Sequence, residues 1–262
     1  MTAPHLPSDL AATIVDPIAH ADAARIHGAF TEMRAKHPLA IADVEGCEPF
    51  WAVSKHADIL EIGKQKDVFL NGTKATTFTS KAANEQVIKL TGSPHMVRSL
   101  VQMDPPDHPK YRLLTQSWFL PQNLRKLEPR LRQLAKTYVD RMADKGGSCD
   151  FVSDVAVWYP LRVIMDILGV PEEDEPRMLK LTQELFAPTD PELSRGGTSG
   201  GFDNLMTDQA VAAMQAVVMD FFQYFNAITE DRRAHPRDDV ASVIANGKID
   251  GQPLDPFNAM SY

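Results

Sequence analysis

Residues 103–119, Met-Asp-Pro-Pro-Asp-His-Pro-Lys-Tyr-Arg-Leu-Leu-Thr-Gln-Ser-Trp-Phe, decide how the rest of the chain is read. Asp104-Pro105-Pro106 is an opener, because proline fixes φ, lacks an amide donor and keeps the residue before it out of the α region. Asp107 then stands where a helix N-cap is expected, with Pro109 in the first turn. From there His108 and Arg112 are four residues apart and project from one helical face. Leu114 and Trp118 repeat that spacing on another face. One side of the helix therefore offers two anion-seeking donors and another a large apolar surface. Taken alone, a His-x-x-x-Arg pair also describes an ordinary polar stripe.

Composition bounds what such a helix can serve. The chain has 262 residues, two cysteines and ordinary globular fractions of apolar and charged side chains. Cys47 and Cys149 indicate neither a disulfide framework nor a cysteine metal site. The first twenty residues lack a basic leader and a long apolar run, so neither signal peptide nor membrane anchor is expected and the compartment is read as cytoplasmic. A net charge of −8 argues against general nucleic-acid binding. The charge is uneven, since nine Lys or Arg but only three Asp or Glu lie between His108 and Lys145. Such a basic stripe is either a solvated helical face or a surface that steers an acidic partner.

In chain order, the spacing predicts a helix over Asp22–Lys36 that His37-Pro38 ends. Leu39–Val44 and Phe50–Val53 read as two strands of a hairpin around Glu45-Gly46, and Ser54 starts a short helix carrying Ile59, Leu60 and Ile62. Phe69–Gln102 is polar with scattered apolar residues and no sustained period, which reads as a long loop of the kind that is often functional. After Leu120-Pro121, apolar residues from Leu124 to Met142 fall at three- and four-residue steps, an amphipathic helix closed by Gly146-Gly147. Phe151–Leu168 is apolar on several sides, as expected of a buried helix, with Gly169 and Pro171 as its stop. A helix aligning Met178, Leu181 and Leu185 follows. Ser194–Gly201 is glycine-rich, but no Gly-Lys-Ser/Thr follows and no strand clearly precedes it, so it reads as a flexible connector. A long helix then runs from Val211 through Ile228. Asp238-Asp239 caps a short helix over Val240–Ala245, Ile249–Leu254 is a turn with marginal strand flanks, and Asp255 or Pro256 opens a last helix.

Asp-Pro-Pro-Asp-His-Pro-Lys-Tyr-Arg, followed by Phe119-Leu120-Pro121 and a long helix, resembles the C-helix region of soluble bacterial cytochromes P450. The resemblance extends over essentially all 262 residues and implies a mainly α fold with a small β-sheet. It implies a single domain made of a helix and hairpin start (1–68), a substrate-contacting loop (69–102) and a helical region (103–262). The implied cofactor is haem b, with His108 and Arg112 on its propionates and Trp118 either against its edge or in the core. Phe78, Leu185 and Phe186 become candidates for contact with an apolar substrate. Lys110, Arg125, Lys126, Arg130 and Arg132 become candidates for docking a ferredoxin, which with its reductase supplies electrons.

The family's acid-Thr pair and its Phe-x-x-Gly-x-x-x-Cys haem loop are absent from the 262 residues, and its Glu-x-x-Arg pair is expected beyond them. Neither Cys47 nor Cys149 sits in such a loop, so no catalytic residue and no metal ligand is assigned. The chain is accordingly expected to be the first part of a monooxygenase, stopping before the oxygen-activating helix and inactive by itself. A helical binding or scaffold protein without haem is the alternative; a haem-loop cysteine beyond Tyr262 would decide between them. No His-Glu-x-x-His or Gly-x-Gly-x-x-Gly motif offers competing chemistry.

Overall fold

Asp16 and Asp22 organise the beginning of the chain by capping two successive helices in a computed structural model that describes residues 3–76, 78–188, 190–195 and 207–262. Contacts along the chain divide it into two compact units, Met1–Pro105 with Ala187–Ala216, and Pro106–Phe186 with Val217–Tyr262. In the first, α1 (Ser8–Val15) leads into α2 (Pro17–Ala21) and α3 (Ala23–Lys36). The carboxylate of Asp16 accepts from the amide of Ile18, and that of Asp22 from Ala24 and Arg25, satisfying amides that a helix start leaves unpaired. β1 (Leu39–Ala42) and β2 (Phe50–Val53) pair antiparallel, with Ala40 opposite Ala52. The sequence reading missed a third, parallel partner: Leu6 donates to the carbonyl of Ile41, and Ile41 to that of Pro4. Leu6, Leu10, Ala11, Ala29, Met33 and the three hairpin alanines form the core of this unit. The small alanines let helix and sheet approach closely.

Two elements complete the first unit. α4 (His56–Lys64) buries none of its residues, and Ile59 and Leu60 are exposed. The stretch read as a structureless loop contains α5 (Lys81–Thr91). Its limits are local signals: the Ser80 hydroxyl accepts from Ala83, and Gly92 closes the end at φ +72°. The helix was invisible to periodicity because only Ala83 in it is buried. An element that buries almost nothing has no apolar stripe to read.

The second unit opens with α6 (Asp107–Gln116) and α7 (Pro121–Ala143). Asp107 is the first residue of α6 rather than its cap, Pro106 holding that place. Its carboxylate in the first turn still favours the positive end of the helix dipole. The expected buried helix over Phe151–Leu168 is instead a π turn (Val152–Ala156) followed by α8 (Trp158–Leu168). Phe151, Val152 and Ile164 are more than half exposed, so apolar composition overstated burial. α9 (Glu175–Phe186) and α10 (Asp208–Ala234) follow. Of the glycine-rich run read as a connector, residues 196–201 lie outside the described residues. α11 (Val240–Asn246), the two-residue strands β3 (Lys248–Ile249) and β4 (Gln252–Pro253), and α12 (Pro256–Met260) complete the chain. Met165, Val170, Met178, Leu181 and Tyr224 form this unit's core, flanked by Leu161, Phe221, Phe225 and Ile228.

Buried arginines fix the end of α8. Arg162 is 4% exposed; it binds Asp166, reaches Glu175 at 3.3 Å, and donates to the carbonyl of Val170 at 2.9 Å. Arg232, also 4% exposed, donates to Asp239 and to the carbonyl of Gly169, each at 2.7 Å. Gly169 has φ +76°, and a Cβ there would lie 2.1 Å from Asp239 Oδ2. Gly92 has a similar φ but open space around it. Urea unfolding of Gly169→Ala should therefore show a loss of about 3 kcal/mol or more, combining left-handed strain with a clash, while Gly92→Ala should cost about 1 kcal/mol. Equal losses at the two positions would remove the steric part of this account.

Candidate functional site

Contacts of Tyr111, Lys110 and Leu114 hold α6 and leave its His108 and Arg112 edge to other partners. Tyr111 and Thr115 are buried, and the Tyr111 ring lies 6.4 Å from that of Tyr262. Lys110 Nζ reaches Asp250 at 2.5 Å, a hydrogen bond that raises the lysine above its ordinary pKa. Leu114 fills the space beside Gly247, where a Cβ would come within 2.5 Å of Leu114 Cδ1 and 2.9 Å of its Cγ. Asp250, with φ +50°, stands in the left-handed region in the turn joining β3 to β4. That short hairpin is what brings the carboxylate to Lys110.

His108 is half-buried and Arg112 exposed, and neither makes a hydrogen bond or ion pair with the described residues. A helical face with an imidazole and a guanidinium, one turn apart and unpaired, suits two neighbouring anionic oxygens of a ligand. Arginine can engage a carboxylate through two parallel N–H bonds, and a half-buried imidazole adds a directed donor. Trp118 lies beyond the end of α6, half-buried, its ring 5.3 Å from that of Phe119 in an edge-on arrangement.

The basic stripe is narrower in three dimensions than along the sequence. Lys110 is paired with Asp250, Arg130 with Asp166 at 2.7 Å, and Arg132 with Glu128 at 2.7 Å. An ion-paired cation projects little field into solvent. Arg125 and Lys126, in the first turns of α7, are exposed and unpaired among the described residues. The candidate substrate residues fall in both units. Phe78, in the first, packs edge-on against Phe50 at 5.1 Å. Leu185 and the 80%-exposed Phe186 end α9 in the second.

Two features had no signal in the sequence. Both carboxylate oxygens of Asp104 accept backbone amides, from Asn71 at 2.9 Å and Gly72 at 2.7 Å. In the second unit an open cleft of about 470 Å³ is lined by Pro171, Arg177, Tyr224, Ile228, Asp231 and Arg237, among others. Burial, then a hydrogen bond donated to Asp174, pushes the Tyr224 hydroxyl well above its ordinary pKa, and the Arg177 guanidinium lies 4.8 Å over its ring. Among the described residues no group of His, Cys, Asp or Glu is arranged to hold a metal ion, and no helix is long and apolar enough to cross a membrane.

No family model matches the chain. It is 41% identical over 259 residues to cytochrome P450-terp of a Pseudomonas species, covering 98% of the chain and 59% of that protein. It is 26% identical over 261 residues to the steroid C26-monooxygenase of Mycolicibacterium smegmatis, covering 97% of the chain and 55% of that protein. The crystal structure of CYP108D1 from Novosphingobium aromaticivorans superposes with a TM-score of 0.83 at 38% identity, over 99% of the chain and 59% of that structure. The chain thus spans a little over half the length of these relatives.

The tight seat of α6 gives a double-mutant test. Gly247→Ala should lower stability by about 1–3 kcal/mol, because an inserted methyl overpacks against Leu114. Adding Leu114→Ala should cost less than its effect in the parent, since the two changes share one space. Strict additivity in urea denaturation would show that α6 is not seated by this contact.

Proposed function

We propose that this chain, which by sequence and fold corresponds to the N-terminal part of a bacterial cytochrome P450, seats haem and shapes the substrate pocket of a haem-thiolate monooxygenase. The observation that carries the seating role is the unpaired His108 and Arg112 on a helix anchored by its other faces. Two propionates match that donor set in charge, number and hydrogen-bonding capacity. Haem, when bound, supplies an iron on which dioxygen is activated, aided by electron density from a cysteine thiolate. Within this chain, Arg112 neutralises and orients one carboxylate and His108 holds the other. Trp118 offers an apolar edge beside them. Cys47 is buried and Cys149 lies outside any haem-loop motif, so the thiolate is assigned to sequence beyond these 262 residues. By itself the chain is expected to be inactive.

The relatives' names suggest the substrate class. One is a steroid C26-monooxygenase, and an apolar terpenoid, steroid or fatty molecule is the proposed substrate here, receiving one oxygen atom. Phe78, Leu185 and Phe186 are proposed to contact it. The cysteines form no disulfide, in keeping with a cytoplasmic setting.

Haem seating is tested in the full-length protein by comparing Arg112→Ala with Lys110→Ala. Loss of Arg112 should release haem roughly tenfold faster, about the effect of one charge-assisted hydrogen bond. Lys110→Ala should stay near the parent, because that ammonium is already bound to Asp250. Equal retention in apomyoglobin transfer would sink the assignment.

Electrons are proposed to arrive from a small acidic ferredoxin, itself served by a reductase. Arg125 and Lys126 are the unpaired candidates for its docking, whereas reversing Arg130 would also break its bond to Asp166. Arg125→Glu with Lys126→Glu should slow reduction by the ferredoxin and flatten its salt dependence, because opposed charges act mainly on the encounter rate. Substrate affinity should be unchanged. Stopped-flow reduction with the parent's rate and salt slope would assign these cations to a merely solvated face.

A further inference from the structure

Residues 70–76 hang from a single tether. Among the described residues, this stretch makes two hydrogen bonds to the rest of the chain, and both end on Asp104. The amide of Asn71 donates to Oδ1 at 2.9 Å and that of Gly72 to Oδ2 at 2.7 Å. A carboxylate holding two consecutive amides is charge-assisted at both contacts, and it fixes the peptide plane between them as well as its position. Gly72 fits the clamp closely. A Cβ there would lie 3.0 Å from Asp104 Oδ2 and 3.1 Å from the carbonyl oxygen of Gln102. The close approach of backbone to carboxylate thus uses the missing side chain, although no positive φ demands glycine.

The clamp joins residues 32 and 33 positions apart, so it closes the segment that carries Phe78 and α5. Beyond it, the contacts of that segment include Phe78 against Phe50, the amide of Lys81 on the carbonyl of Gly46, and Lys81 Nζ beside Glu48. Only Pro105 and Pro106 separate Asp104 from the first residue of α6 in sequence. Residues 70–76, which among the described residues have only these two hydrogen bonds to the rest of the chain, open locally at low cost unless the tether holds.

We propose that Asp104 is a positioning residue for substrate selectivity, setting the conformation of the 69–102 segment through the backbone of Asn71 and Gly72. This rests on the reading that the segment borders the substrate. Asp104→Asn keeps one acceptor but sets an NH2 group against the other amide, so half the clamp becomes donor against donor. Gly72→Ala leaves the carboxylate intact and pushes the backbone away from it by a few tenths of an ångström.

Both variants and their double are compared with the parent in the full-length protein, using linalool, testosterone and dodecanoic acid as terpenoid, steroid and fatty probes. Hydrogen exchange over residues 70–76 should accelerate at least roughly tenfold in Asp104→Asn, the effect of losing one charge-assisted bond. Haem content should match the parent. The dissociation constant of the preferred probe should rise roughly tenfold while those of the others move little, so that the order of preference changes. Gly72→Ala should shift the same preference in a milder form, and the double variant should add nothing to Asp104→Asn, since both act on one contact. Unchanged exchange in Asp104→Asn overturns the clamp. Faster exchange with an unaltered order of preference overturns its role in selectivity, as does a uniform loss of affinity for all three probes. A parent protein that takes up no haem removes the reading on which the proposal rests, whereas the exchange measurement still reports on the clamp.

Discussion

Arg232 is the group on which the second unit most depends. Its guanidinium is almost fully buried, binds Asp239 and Asp231, and also donates to the carbonyl of Gly169. A buried charge is tolerated only when paired and hydrogen-bonded on most sides, because desolvation otherwise costs several kcal/mol. Asp239 has a second duty. Its other oxygen accepts the amide of Ser242 and so caps α11. One carboxylate therefore ties α10, the end of α8 and the start of α11 together, and Gly169 is the only residue type that leaves room for it. Arg162 repeats the device one residue along, on the carbonyl of Val170.

This frame explains how α6 can present unpaired donors. α11 and the β3–β4 hairpin follow directly from the capped segment, and they supply Gly247 against Leu114 and Asp250 against Lys110. The helix is thus held through its lysine, leucine and tyrosine rather than through His108 or Arg112. Donors that take no part in folding remain available to a ligand at no cost to stability. The same logic separates the cations of α7. Arg130 and Arg132 are occupied by carboxylates, whereas Arg125 and Lys126 face solvent, so the charge excess counted along the sequence overstates the field offered to a partner.

Much of the molecule was legible in the amino-acid order. The cap at Asp239 is readable in the sequence, as are helix starts near Asp22 and at Asp255 or Pro256, and Gly169 ends α8 in the left-handed conformation. The hairpin of β1 and β2 and the amphipathic α7 also lie where alternation and helical spacing put them. These signals are readable because each is a bargain struck within a few residues: a side chain satisfies a nearby amide, or a ring or a missing Cβ restricts φ. The motif on α6 likewise places His108 and Arg112 on one helix. α5 escaped because it buries almost nothing, and the exposed Phe151 and Val152 misled because apolar composition does not say which side of a helix is covered.

What the sequence determined by itself was therefore the succession of elements, the placing of their ends and the donor pair on α6. Tertiary structure decided which charges are spent and which remain. Lys110 meets Asp250 across 140 residues, Arg130 meets Asp166 across 36, and Asp104 meets Asn71 across 33. No local rule reaches that far. Such pairings depend on the path of the whole chain, and a carboxylate in the sequence looks the same whether it caps a helix, neutralises a distant cation or holds a loop.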